Sequence, residues 1–189
     1  MGIYRSKFES SVLSPSSEIN DGNAKYEMHG KIMDVIYREM DVMFHIYSRL
    51  FVLRLDLHLC DYNSHNKDLS RLVKKLRKMV NKKYTSKRLG YIWVREQEKA
   101  KSQHYHVMLI LDGSKIRHPS NLIQWIETRW ENMGHPKPFT PKHCYYFMGR
   151  LEHDIIKMCM YRVSYLAKTR GKGYQPKYVR DFSSSRVKQ

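Results

Sequence analysis

His104-Tyr105-His106 sits inside an apolar run from Gln103 to Leu111, and Tyr161, Tyr165 and Lys168 follow some fifty residues later. In a strand alternate side chains share a face, so the two imidazoles point the same way and can chelate one divalent ion. In a helix positions i, i+4 and i+7 share a stripe, which lines up Tyr161, Tyr165 and Lys168. A phenolic oxygen can attack phosphorus and hold the product as a phosphotyrosine ester, keeping the bond energy for rejoining. Lys168 can stabilise the phenolate of Tyr165 or neutralise five-coordinate phosphorus.

Ten histidines and fourteen tyrosines make such pairs common, so their surroundings decide between packing and chemistry. Two strand histidines can simply satisfy hydrogen bonds, and a Tyr pair at i, i+4 often closes the edge of a core. Here a carboxylate joins the imidazoles. With Ala100 at the centre of a hairpin, Glu96 stands across from His104 on the same face, and a register shifted by two residues brings Glu98 there instead. Two His and one carboxylate leave coordination positions for water and phosphate oxygens. Mg²⁺ is the usual ion of phosphate chemistry, and imidazole ligands move the preference toward Mn²⁺. The apolar residues of the tyrosine segment, Ile155, Cys159, Val163 and Leu166, lie nearly opposite Tyr161, Tyr165 and Lys168, so the phenols are not needed to complete its core stripe.

The elements that must position these groups follow from periodicity. Met28 to Phe44 recur at helical spacing within a leading helix over about 24–48. Leu53, Leu55, Leu57 and Leu59 alternate with Arg54, Asp56 and His58, which predicts a strand over 50–60. Asn63 or Ser64 can cap an amphipathic helix carrying Leu69, Leu72, Val73, Leu76 and Val80. Its outside is basic: Lys67 to Arg88 holds ten Lys or Arg against Asp68 alone. A hairpin joins Tyr91–Glu96 to the His-Tyr-His strand, with Tyr91, Trp93 and Tyr105 on the face opposite the imidazoles. Pro119 and Ser120 open a helix closed at Gly134, a short strand spans 144–148, and a last helix spans 152–169. The order β-α-β-β-α-β, with an extra helix at each end, predicts an α+β, ferredoxin-like (split βαβ) antiparallel sheet. Helices are expected on one face, the other being open and carrying the site. The chain divides into a flexible N-terminal arm over 1–23, one domain over 24–169 with its leading helix, and a basic tail over 170–189.

With 189 residues, 41% of them hydrophobic, the chain has enough apolar content for one compact domain. A net charge of +17 and a pI near 9.8 favour a nucleic-acid partner. No apolar stretch approaches the roughly 20 residues of a membrane span, and 1–23 lacks the pattern of a signal peptide. The expectation is a cytoplasmic protein with no membrane and no small-molecule partner. Its three cysteines, Cys60, Cys144 and Cys159, are read as reduced, since they lack zinc-type spacing.

His104-Tyr105-His106 resembles the His-hydrophobic-His motif of the HUH endonuclease superfamily, and Tyr161-x3-Tyr165-x2-Lys168 resembles the two-tyrosine signature of its replication-initiator branch. Together with Trp93-Val94-Arg95-Glu96, they are similar to Gp2-like replication proteins of inoviruses and to proteins of the YagK/YfjJ C-terminal-domain type. The resemblance covers about 50–168. It implies nicking of a single-stranded DNA origin, linear or hairpin, in a bacterial host cell, a 5′-phosphotyrosine intermediate, and a 3′-OH released for rolling-circle synthesis of a phage or other mobile element. A host helicase or polymerase is the protein partner that role would call for. Ser164 stands where a lysine often precedes the second tyrosine, which favours Tyr165, paired with Lys168, over Tyr161.

Two rivals stay open at this stage. A non-catalytic module would bind single-stranded nucleic acid on an aromatic sheet face, and a metal nuclease would use water in place of tyrosine. Lys74, Lys75, Lys78, Arg95 and Lys172 are the expected phosphate contacts, so neutralising Lys74, Lys75 and Lys78 together should weaken binding and lower its salt dependence.

Overall fold

The hydrophobic period changes from 2 to 3.6 and back along the chain, and the elements follow it. The computed structural model describes residues 2–5, 13, 16–20, 25, 27–86, 88–97, 103–173 and 178–187. In order these form β1 (Gly2–Arg5), β2 (Ser16–Ile19), α1 (Gly30–Ile46), β3 (Arg49–His58), α2 (Lys67–Tyr84), β4 (Gly90–Glu96), β5 (His104–Asp112), α3 (Ser120–Glu131), β6 (Tyr145–Gly149), α4 (His153–Ser164) and β7 (Phe182–Ser184). A 3₁₀ turn, Tyr165–Ala167, follows α4 directly.

Five strands make one antiparallel sheet in the order β6-β3-β5-β4-β7. β5 lies between β3 and β4, which α2 connects, so this is the split βαβ arrangement expected of a ferredoxin-like α+β fold. β7 comes from the segment read as tail and extends the sheet beyond β4, pairing Val94 with Phe182 and Ile92 with Ser184. Its anchor is Glu39 of α1, 2% exposed, which accepts hydrogen bonds from the Ser185 hydroxyl and the Arg186 N–H. The segment read as an arm likewise contains the paired strands β1 and β2, and Leu13 and Ile19 are buried in the core.

Helices cover both faces, which corrects the expectation of one open face. Phe51, Leu53, Leu55 and Leu57 of β3, with Trp93, Tyr105, Val107 and Leu109, form an apolar face under α2 and α3. The other face is divided. Leu50, Val52, Ile92, Val94, Met108 and Ile110 lie under α1 and α4, where Ile36, Met40, Met43, Cys159 and Val163 complete a second core. Farther along the same face β3 and β5 turn polar, at Arg54, Asp56 and His58 and at His104 and His106. The leading helix expected over 24–48 is α1, and its periodicity does not say which face it covers; the tertiary structure shows it roofing the second face. No helix among the described residues is long and apolar enough to cross a membrane.

Candidate metal and tyrosine site

β4 and β5 pair in the register that sets Glu96 opposite His104. Glu98 and Ala100, the alternative ligand and the expected turn centre, lie outside the described residues, but this register gives the place opposite His104 to Glu96. One carboxylate oxygen, Glu96 Oε2, lies 3.2 Å from His104 Nε2 and 2.9 Å from His106 Nε2. Ligand atoms of the three residues all fall within 4.8 Å of one another. Two cis ligands about 2.1 Å from an octahedral ion stand roughly 3 Å apart, so this donor set fits Mg²⁺ or Mn²⁺.

β3 supplies the support. Asp56 Oδ1 accepts a hydrogen bond from His106 Nδ1 at 2.7 Å, leaving Nε2 to face the site, the orientation that a carboxylate behind a metal-bound imidazole imposes. Burial would raise the pKa of Glu96, but hydrogen bonds from His104 and His106 and the charges of His106 and Lys172 hold it well below the usual carboxylate range. Asp56 is lowered in the same way: burial opposes the shift, and His106 and Arg54 outweigh it. Both carboxylates are therefore ionised at neutral pH, as a divalent ion requires. The Asp56→Asn protein should bind Mn²⁺ on the order of 10–100-fold more weakly by calorimetry, because the amide no longer fixes the imidazole as an ion-facing acceptor; unchanged affinity would remove Asp56 from the site.

Tyr165 reaches this cluster. Its ring lies 5.5 Å from that of His106 and 4.7 Å from the Arg54 guanidinium, and its hydroxyl accepts a hydrogen bond from Lys168 Nζ at 2.6 Å. Lys168 Nζ is also 3.1 Å from Glu96 Oε2. The expected helix over 152–169 ends early. Ser164, fully buried, bonds through its hydroxyl to the Tyr161 carbonyl at 2.7 Å and accepts the Asn20 N–H at 2.8 Å. A side chain that competes for backbone groups in this way favours a helix end. The 3₁₀ turn that follows is clamped by the strand-like segment before α1: the His29 N–H donates to the Ala167 carbonyl at 2.6 Å and the Thr169 N–H to the Glu27 carbonyl at 2.8 Å. Tyr161 stays on α4, half-buried, and among the described residues its side chain makes no hydrogen bond or ring contact with the cluster.

The residues expected to touch phosphate are dispersed. Lys74, Lys75 and Lys78 are exposed on α2, across the sheet from Tyr165. Arg95 is only 1% exposed and is a clamp within the fold: its Nη2 donates to the Asn63 carbonyl at 2.6 Å and to Gln103 Oε1 at 2.9 Å. Period 2 turns it away from Glu96, toward α2, where Nη1 and Nη2 offset the cost of burying the charge by bonding to Asn66, Asn63 and Gln103, while Nε has no partner among the described residues. Lys172 lies inside the site, its Nζ 3.3 Å from Glu96 Oε1; burial lowers its pKa against the pull of Glu96. Asp56 and Arg54, by contrast, were not singled out from the sequence, although their place on the polar side of a strand was visible there.

Residues 16–185 match the YagK/YfjJ C-terminal domain. The chain belongs to this family. No curated protein and no solved structure matches it. Within this YagK/YfjJ C-terminal domain, one further position has no signature in a motif. Gly171 has φ +76°, accepts the Gln97 N–H at 2.7 Å, and packs so closely on Glu96 that an added methyl would strike the Glu96 Cγ. Gly171→Ala should cost about 2 kcal/mol in urea unfolding from the left-handed backbone alone and weaken Mn²⁺ binding as Glu96 is pushed aside. Wild-type stability together with wild-type affinity would refute that packing.

Proposed function

We propose that this protein cuts single-stranded DNA and transfers the cut strand, with Tyr165 as nucleophile and Mg²⁺ or Mn²⁺ held by Glu96, His104 and His106. The reading rests on one observation, the unbroken path from the Tyr165 hydroxyl through Lys168 Nζ, at 2.6 Å and 3.1 Å, to the carboxylate oxygen that faces both imidazoles. A lone buried ion pair would not need a tyrosine joined to it.

Bound there, the ion supplies a Lewis acid that draws charge from an oxygen of the scissile phosphate. Arg54, 14% exposed at its side chain, lies over the Tyr165 ring and offers a guanidinium to another oxygen of that phosphate. The Tyr165 oxygen forms the new bond to phosphorus, its proton passing to water while the Lys168 ammonium stabilises the charge left on the oxygen. The bond from phosphorus to the 3′ oxygen breaks, and that oxygen takes a proton. The products are a 5′-phosphotyrosine and a free 3′-OH, and attack by a 3′-OH on the ester reverses the step and restores the phenol. Initiation of rolling-circle replication, as in the replication-initiator branch of the HUH endonucleases, is the process this chemistry serves, with Tyr161 reserved for the closing cut.

A 3′-end-labelled random-sequence pool of single-stranded oligonucleotides, incubated with the protein and Mn²⁺ and run on a denaturing gel, tests this. Label carried by the protein with Mn²⁺ and lost with EDTA is the expected result. Metal-dependent cutting without an adduct would replace tyrosine by water, and binding without cutting would leave only a binding module.

A further inference from the structure

At the end of β4 remote from Glu96, a groove is lined by Arg77 of α2, Arg88 and Leu89 before β4, and Ser185, Arg186 and Val187 after β7. A second groove along β7 shares Arg186 and adds Arg38 and Arg180. The two meet at Arg186, just past β7 at the outer edge of the sheet. Arg180 precedes Asp181, whose carbonyl accepts the Arg95 N–H beside Glu96, so the backbone of Arg180 lies next to the site's strand, and Asp181 shares the lining of the second groove. Gly90 and Glu96 are six residues apart, so the row of arginines runs roughly 20 Å away from the site.

The row is built, not incidental. Arg186 has φ +51°, a conformation unfavourable for a side-chain-bearing residue, and the buried Glu39 holds it there by accepting its N–H at 3.1 Å. Arg77 lies against the Tyr91 ring, 5.3 Å from its centroid, which fixes its direction. Among the described residues the guanidiniums of Arg77, Arg88 and Arg186 pair with no carboxylate, and the acid beneath them, Glu39, is already bonded to Ser185 and Arg186 and lies 3.9 Å from the Arg38 guanidinium. A linear set of forked donors suits a run of phosphates, each able to take two N–H bonds.

We infer that this edge is the track for the sugar-phosphate backbone flanking the cut, carried by Arg77, Arg88 and Arg186 with Arg38 and Arg180. The inference rests on the strand-transfer reading and names where that substrate leaves the site. It also moves the main phosphate surface from Lys74, Lys75 and Lys78 to the β7 edge, where Arg77 is the contribution of α2. A fluorescein-labelled oligodeoxythymidylate longer than the track, titrated by anisotropy in EDTA on a Tyr165→Phe background, measures binding with no chemistry, so the result stands whether or not the cutting reaction does. Arg77→Gln/Arg88→Gln/Arg186→Gln together should lower the slope of log K against log[salt] by about 2 and weaken binding on the order of ten-fold or more. Arg88→Gln and Arg186→Gln singly should each take about 0.7 from the slope, which keeps the outcome readable if the triple variant folds poorly. Lys74→Gln/Lys75→Gln/Lys78→Gln should change the slope less than the arginine set does. A wild-type slope in the arginine variants, or a larger loss from the lysine set, overturns the assignment.

Discussion

Tyr165→Phe should abolish the covalent adduct, a loss of at least about 10³-fold, while Tyr161→Phe retains most of it. The phenyl ring keeps its place against His106 and Arg54, at 5.5 Å and 4.7 Å, so the variant loses an oxygen and little else. One hydrogen bond from the Lys168 ammonium disappears, worth about 2 kcal/mol, and Lys168 keeps its contact with Glu96, which leaves the fold intact. DNA binding should therefore be unchanged, and a loss of adduct with retained binding marks a nucleophile, not a packing residue. Tyr161 begins from a different position. The α-helix stops at Ser164, so the regular i, i+4 stacking is broken before Tyr165, and of the two tyrosines Tyr165 is the one carried to the Glu96–His104–His106 cluster. An adduct that survives Tyr165→Phe and vanishes in Tyr161→Phe would reverse these roles.

The second large effect is the loss of the ion. Mn²⁺ should raise the melting temperature of the wild-type protein, and His106→Ala should eliminate both that rise and adduct formation. An ion at about 100 times its Kd stabilises the folded state by about 2.7 kcal/mol, which shifts a domain of this size by several degrees. The thermal shift needs no turnover, so it separates ion binding from catalysis. His106 lies between Asp56 and Glu96, at 2.7 Å and 2.9 Å. Its removal takes one partner from each of two buried carboxylates, which keep Arg54, His104, Lys168 and Lys172, and stability without metal should fall by about 2 kcal/mol. His104→Ala, with its side chain 17% exposed, should lose the Mn²⁺ shift with a smaller cost to the fold. An unaltered Mn²⁺ shift in His106→Ala would put the ion elsewhere.

The donor set and the fold around it were legible because both depend on local period. In β3 and β5 alternate residues had to face opposite ways, so His104 and His106 shared a side, Leu53 to Leu59 made a core face, and Trp93 and Tyr105 went beneath the helices. The hairpin needed only its turn centre to place Glu96 opposite His104. The split βαβ order followed from the same alternation of periods and from the two helix starts. Even the division of the second face is written in β3, where Leu50 and Val52 give way to Arg54, Asp56 and His58, though its meaning depends on what lies above it.

Long-range packing decided the rest. A helical stripe does not say which sheet face it covers, so the roof of α1 and α4 was not foreseeable from their periodicity. Nor does a basic residue announce whether its charge will be satisfied inside. Arg95 became a buried clamp because Asn63 and Gln103 happen to converge on it, and Lys172 turned inward onto Glu96. The tail joined the sheet because Glu39, a residue of a distant helix, holds Ser185 and Arg186. Asp56 met His106 across fifty residues. Side-chain direction and strand parity are properties of neighbours in the chain, so sequence alone put the two imidazoles on one face with a glutamate, Glu96 or Glu98, across from His104, and the folded register chose Glu96. Which charges are buried, where the helix before Tyr165 ends, and which edge carries arginines depend on contacts between segments far apart in sequence, and only the folded chain brings those together.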